Sequence, residues 1–86
     1  MANQNKILLV EDDVTLANWI IEYLTEQDLA VKHVDRGDLV IAALDEFKPD
    51  LVLLDVMLPG LNGIEVCRKI RLSSTLPIIM LTARAD

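Results

Sequence analysis

Residues 51–60 read LVLLDVMLPG. Four apolar residues are followed by Asp55, and the segment ends with the turn-forming pair Pro59–Gly60. A continuous apolar run bounded by a turn is typical of a strand covered on both faces, as in a parallel sheet. A sheet with one wet face would alternate apolar and polar residues instead. This stretch therefore predicts a buried strand with a carboxylate at its carboxyl end.

Three further runs flank this strand, at Ile7–Val10, Ala30–Val34 and Ile78–Leu81. Lys32 and His33 interrupt the second run, which indicates an edge strand and a surface position for the histidine. Successive runs are separated by the length of one strand and one crossover helix, the spacing of a repeated βα unit. The sequence therefore predicts four parallel strands.

In the segments between the runs, apolar residues recur every three or four positions, as on one face of a helix. Each segment can therefore pack one apolar face against the sheet. The predicted stripes are Leu16, Ile20 and Leu24; Leu39, Ala43 and Phe47; and Ile64, Cys67 and Ile70. The resulting order, β-α-β-α-β-α-β, is that of an α/β protein with right-handed crossovers. Ligands of such sheets bind outside the carboxyl ends of the strands.

Composition narrows the functional classes. The chain has 86 residues, of which 52% are hydrophobic and 26% charged, typical of a single globular unit. Its net charge of -6 disfavours direct binding of nucleic acid or of an anionic membrane surface. The apolar runs are too short to span a bilayer. A single cysteine, Cys67, can form no internal disulfide, which favours a reducing, cytoplasmic location.

Acidic residues follow the predicted strands at their carboxyl ends. Glu11, Asp12 and Asp13 follow the first strand, and Asp55 follows the third. Carboxylates that converge at one sheet edge raise each other's pKa unless a cation neutralises them. Oxygen ligands without His or Cys point to Mg²⁺ or Mn²⁺. The competing interpretation is helix N-capping, which suits Asp13 but not Asp55, because no helix starts directly after the latter.

Three motifs follow one another along the chain: LLVEDD at 8–13, LVLLDVMLPG at 51–60 with Gly63, and PIIMLTA at 77–83. Together they resemble the receiver domain of bacterial two-component response regulators, and the third-strand segment most resembles the branch with a winged-helix transcription output. The resemblance implies a flavodoxin-like (CheY-like) doubly wound parallel sheet with strand order 2-1-3-4-5. Residues 1–86 would form the N-terminal part of a single receiver domain, incomplete because the fourth helix, fifth strand and fifth helix are absent. The lysine that the family places at the end of the fifth strand is absent with them.

The same resemblance implies a metal site. Asp12 and Asp55 would bind Mg²⁺ (or Mn²⁺) directly, Glu11 through water, and Met57 through its backbone carbonyl. Asp55 would also be the phosphoacceptor, which receives a phosphoryl group from a sensor histidine kinase. Thr82 would hydrogen-bond the phosphoryl oxygen after transfer, and the small Ala83 would leave room for the group.

Two alternatives stay open at this point. A Mg²⁺-dependent phosphatase or transferase could use an aspartyl nucleophile on a similar sheet, although such enzymes usually carry a second aspartate two residues later, where this chain has Met57. A non-functional fragment that only folds or assembles is the third possibility. The favoured interpretation is a signalling domain that catalyses only its own phosphorylation and controls an output domain of the same protein. The exposed fourth strand, Ile78–Leu81, predicts a dimer or higher assembly.

Overall fold

The structure, a computed structural model, describes residues 5–81. The strands are β1 (Lys6–Val10), β2 (Ala30–Val34), β3 (Leu51–Asp55) and β4 (Ile78–Leu81); the helices are α1 (Val14–Glu26), α2 (Val40–Phe47, preceded by a 3-10 turn at Gly37–Leu39) and α3 (Gly63–Arg71). This order confirms the predicted succession of strands and helices.

The four strands form one parallel sheet in the order β2-β1-β3-β4. Val10 is level with Val34 of β2 and Leu54 of β3, and Asp55 is level with Leu81 of β4. The predictions of a parallel sheet and of β2 as an edge strand are confirmed. All four carboxyl ends therefore meet at one edge of the sheet.

The two faces of the sheet are covered unequally. One face, here called the closed face, carries Leu8, Val10, Val52 and Leu54, all fully buried. These four pack in one cluster with residues of α2 and α3: Val40, Ala43, Val66 and Ile70. Burying this apolar area supplies most of the stability of so small a chain.

The opposite face is here called the open face. Within residues 5–81 it is covered by α1, which lies against β2. Leu9 and Ile7 of the central strand β1 are buried on this face. Toward the other edge burial declines, since Leu53 of β3 is only half-buried and Ile79 of β4 is 50% exposed. The open face is thus packed near β1 and exposed near β4.

Three positions of the predicted helical stripes were wrong: Leu16, Leu39 and Ile64 are exposed. Leu39 ends the 3-10 turn that precedes α2, and the buried residues of α2 are Val40 and the predicted Ala43. In α3 the buried residues are Gly63, Val66 and the predicted Ile70, whereas the predicted Ile64 is exposed and Cys67 is half-buried. In α1 the small Ala17 makes the buried contact, because a close helix–sheet approach favours a small side chain.

Side-chain caps define where α1 and α3 begin. The Asp13 carboxylate accepts a hydrogen bond from the Leu16 N–H at 3.1 Å, and the Asn62 side chain accepts one from the Glu65 N–H at 3.0 Å. The capping interpretation of Asp13 is confirmed. Within residues 5–81, no helix is both long and apolar enough to cross a membrane.

Candidate functional site

The parallel register brings three acidic side chains together at the carboxyl edge of the sheet. Asp55 is the last residue of β3, and Glu11 follows β1, where its N–H continues the ladder by donating to the Val34 carbonyl at 3.1 Å. Asp12 is the next residue. One carboxylate oxygen from each of Glu11, Asp12 and Asp55 lies within 4.8 Å of the other two. Three of the four acids predicted to converge at this edge thus form a triad, and the fourth, Asp13, caps α1.

The three carboxylates differ in burial. Glu11 is 4% exposed and Asp55 is 6% exposed, whereas Asp12 lies on the surface. Asp55 shares the open-face set of β3 with Leu51 and Leu53, because side chains alternate along a strand. The cluster therefore has two inner carboxylates at the top of the open face and one outer carboxylate at its mouth.

Electrostatics within the cluster are unfavourable for a fully ionised state. Burial raises the pKa of Glu11 above its ordinary value, and the neighbouring carboxylates of Asp55 and Asp12 raise this pKa further. The hydrogen bond from the Asp13 N–H opposes the rise. Of the ion pairs formed within residues 5–81, Arg36–Asp38 and Arg68–Glu65, neither involves the triad. A cation at the cluster would relieve the repulsion.

Backbone donors hold the two inner carboxylates in place. The Asp13 N–H donates to Glu11 Oε2 at 3.1 Å, and the Met57 N–H donates to Asp55 Oδ1 at 3.3 Å. Each donor lies two residues after the acid that it holds. The orientation of both carboxylates is thus fixed by the start of the loop that follows each strand.

His33, which was predicted to lie on the surface, is a neighbour of the site. Its ring is half-buried, and its Nε2 lies 2.7 Å from the backbone carbonyl oxygen of Glu11. Because a carbonyl oxygen only accepts, Nε2 carries the proton in this contact. The parallel register that places His33 level with Leu9 explains the contact, and a sequence without a known register gives no such signal.

Other predicted site residues fall at the rim or beyond. Met57 lies two residues after Asp55 in the chain, and its side chain is 57% exposed. Thr82 and Ala83 lie outside residues 5–81. The described part of the site is therefore the acid triad with the first residues of the β3–α3 loop.

The donor set of the triad fits a hard divalent cation. Three carboxylate oxygens converge without a nitrogen or sulfur ligand among them, and Mg²⁺ and Mn²⁺ prefer such oxygen donors. The outer carboxylate of Asp12 leaves one side of the cluster accessible. The residues are thus compatible with a Mg²⁺ that retains water and also contacts a phosphoryl oxygen.

A doubly wound parallel sheet with carboxylates at the ends of neighbouring strands defines the class of the chain. A family model described as the response regulator receiver domain matches residues 7–86. The chain belongs to this family. The resemblance to receiver domains of two-component response regulators is confirmed, and so is the fold that it implied.

Individual relatives share this part of their sequence with the chain. The DNA-binding response regulator MtrA of Mycobacterium tuberculosis is 45% identical over 83 residues, which are 96% of this chain and 36% of that protein. The transcriptional regulatory protein ResD of Bacillus subtilis is 44% identical over 84 residues, 98% of this chain and 35% of its own length. The chain thus spans little more than a third of these relatives.

Solved structures agree with the fold. The BeF₃-activated N-terminal receiver domain of Klebsiella pneumoniae RstA superposes with a TM-score of 0.92 at 43% identity, covering 95% of this chain and 70% of that one. The non-phosphorylated receiver domain of HemR from Leptospira biflexa gives a TM-score of 0.86 at 31% identity, covering 96% and 68%. The described sheet and helices therefore correspond to about two thirds of a receiver domain.

Proposed function

We propose that this chain is the phosphoacceptor module of a two-component system, with Asp55 as the residue that receives the phosphoryl group. The observation that carries the proposal is the convergence of three carboxylates within 4.8 Å at the carboxyl edge of the sheet. Family membership adds that its relatives are response regulators, which are signalling proteins. Residues 1–86 are then the N-terminal part of a single receiver domain.

Each acid has a part in binding the metal. Asp12 and Asp55 would hold Mg²⁺ (or Mn²⁺) directly, Glu11 would hold it through water, and Met57 would contribute its backbone carbonyl. The bound cation supplies charge neutralisation for the transferring phosphoryl group. Burial of Glu11 and Asp55 supports this arrangement, because two inner carboxylates without a cation carry a repulsion that metal binding removes.

In the transfer step, a carboxylate oxygen of Asp55 forms a bond with phosphorus as the phosphorus–nitrogen bond of a phosphohistidine breaks. The electron pair of that bond returns to the imidazole nitrogen, which takes a proton from solvent. The Met57 N–H, 3.3 Å from Asp55 Oδ1, keeps one carboxylate oxygen engaged and so orients the other for attack. Thr82 and Ala83 are proposed to receive the transferred group, by a hydrogen bond and by leaving space.

The phosphodonor is proposed to be a sensor histidine kinase, and the output a domain of the same protein. Relatives named as DNA-binding response regulators support a DNA-binding output. A phosphatase or transferase is disfavoured because the residue two places after Asp55 is Met57, whose exposed thioether cannot act as a general acid or base. The phosphorylated module therefore works as a switch and releases no external product.

The first test of the proposal is metal binding followed by chemical phosphorylation of the 86-residue chain. Mn²⁺ binding, followed by electron paramagnetic resonance, should be lost in Asp55→Asn and Asp12→Asn. Asp13→Asn should bind like the wild type, since asparagine keeps the N-cap of α1 and the substitution removes a neighbouring charge only. Loss of binding in all three variants would contradict the assigned ligand set.

The second test uses acetyl phosphate and Mg²⁺, with the modified residue located by peptide mass spectrometry. We expect slow labelling at Asp55, because the lysine implied by the family is absent from these residues. Asp55→Asn should abolish the label, and Asp13→Asn should retain it. Efficient labelling at another residue would refute the proposed phosphoacceptor.

A further inference from the structure

A short segment between β2 and α2, Arg36–Gly37–Asp38, lies against the loop that joins β3 to α3. This loop, residues 56–62, contains Met57 and follows the phosphoacceptor position directly. The Gly37 N–H points to the Pro59 carbonyl at 3.4 Å. Arg36 Nε and Asp38 Oδ1 form an ion pair at 2.9 Å that bridges the glycine. The segment therefore contacts the middle of the loop.

The approach between the two backbones is too close for a side chain at Gly37. A Cβ atom there would lie 1.8 Å from the Leu61 carbonyl oxygen and 2.9 Å from Val66 Cγ2. At Gly60, where φ is +80°, a Cβ would lie 2.8 Å from Asp38 Oδ1 and 2.9 Å from Arg36 Nη2. The ion pair thus contacts the loop backbone directly at Gly60, because glycine has no side chain between them.

The far end of the loop is attached to the end of β3. The Gly63 N–H donates to the Val56 carbonyl at 2.9 Å, and a Cβ on Gly63 would lie 2.5 Å from the Asp55 carbonyl oxygen. The near end is attached to the site itself, through the hydrogen bond from Met57 N–H to Asp55 Oδ1. The loop is therefore fixed to β3 at both ends, and residues 59–61 between these attachments contact Arg36, Gly37 and Asp38.

We propose that Arg36, Gly37 and Asp38 are positioning residues for the metal site, which they do not touch. They hold the β3–α3 loop in the position in which the Met57 N–H can donate to Asp55 and the Met57 carbonyl can reach the cation. This inference rests on the proposed function, since it concerns the same site. Groups that orient metal ligands from outside typically change metal affinity 10- to 100-fold when they are removed.

The test compares two exposed arginines, each paired with one carboxylate. Arg36→Met removes the ion pair that rests on Gly60, and Arg68→Met removes the matched pair with Glu65, 2.8 Å long, on α3. Mn²⁺ affinity of the 86-residue chain should fall about tenfold in Arg36→Met and stay unchanged in Arg68→Met. Urea unfolding in EDTA should be the same for both, because exposed ion pairs contribute little to stability.

A metal-free measurement separates this inference from the proposed function. In EDTA, the backbone amide resonances of Met57 and Gly60 should shift in Arg36→Met and not in Arg68→Met. If these shifts occur and no form of the chain binds Mn²⁺, the proposed metal function fails while the positioning of the loop stands. If the wild type binds Mn²⁺ and Arg36→Met binds it equally well, the inference is overturned. Unshifted Met57 and Gly60 resonances overturn it as well.

Discussion

The two faces of the sheet differ in what they do. On the closed face, Leu8, Val10, Val52 and Leu54 are fully buried beneath α2 and α3. On the open face, α1 lies against β2, and Ile79 at the opposite side is half exposed. The buried carboxylate of Asp55 continues the open-face set of β3. Within residues 5–81, the larger part of the buried core thus lies on one face, and the acid triad lies at the top of the other.

Within residues 5–81, the two faces should differ in how easily they rearrange. Tightly packed residues tolerate little displacement, because interiors are close-packed and a shift of one side chain disturbs its neighbours. In the 86-residue chain, the thinly covered side of the open face has fewer packed neighbours, so local rearrangement there should have a smaller free-energy cost. The following predictions test the contrast, from the largest expected effect to the smallest.

Truncating neighbouring leucines of β3 should separate the two faces. Leu54→Ala removes a fully buried side chain from the closed face and should lower the free energy of unfolding by about 3 kcal/mol. Leu53→Ala, on the half-buried open face, should lower it by about 1 kcal/mol, because part of that side chain already contacts water. Urea unfolding measures both. Equal losses would show that the open face is as well packed as the closed one.

Self-association should depend on the exposed side of the open face. Within residues 5–81, β4 has no strand on its outer side, and Ile79 is half exposed beside that edge. A second copy of the chain can pair with this edge and cover the isoleucine. We expect a concentration-dependent dimer in sedimentation experiments, weakened about tenfold, or about 1.4 kcal/mol, by Ile79→Lys.

Ile41→Lys is the matched control for this association, because Ile41 is an exposed isoleucine on α2, a helix that packs on the closed face and contacts β1 and β2. It should leave the dimerisation constant unchanged. A monomer at all concentrations, or equal effects of the two lysines, would exclude pairing through β4.

The N-cap of α1 should matter for the open face. Asp13→Ala removes the carboxylate that accepts the Leu16 N–H, and should lower the free energy of unfolding by about 1 kcal/mol. Asp13→Asn should lower it far less, since asparagine caps equally well. Hydrogen exchange of the α1 amides locates the effect. Unchanged exchange in α1 upon Asp13→Ala would mean that the cap does not limit the fraying of this helix.

Much of this arrangement could be predicted from the sequence. The near-continuous apolar runs specified buried parallel strands, and the acids after Val10 and Leu54 specified the site, because register brings the ends of parallel strands together. The helix stripes were less predictable: Leu39 falls in a 3-10 turn before α2 and is exposed, whereas Val40 is buried. The contact between His33 and the Glu11 carbonyl was missed, since it depends on how two strands are aligned.

Replacing the buried glutamate of the site should change the pH dependence of stability. The folded chain holds the Glu11 proton more tightly than the unfolded chain does, because burial and the carboxylates of Asp55 and Asp12 raise the Glu11 pKa above 4.5. The native state then binds more protons than the unfolded state as pH rises from 4.5 through the raised pKa. This contribution of Glu11 to the free energy of unfolding therefore falls across that interval and is constant above it.

Glu11→Gln lacks this titration but keeps the shape of the side chain. Measured by urea unfolding in EDTA, its stability relative to the wild type should increase with pH over the same interval. Mg²⁺ should then narrow the difference at neutral pH, because a cation stabilises the ionised glutamate and only the wild type has one at this position. A difference that stayed constant across the pH series would mean that Glu11 ionises equally easily in both states. In that case the open-face site would carry no electrostatic strain for a cation to relieve.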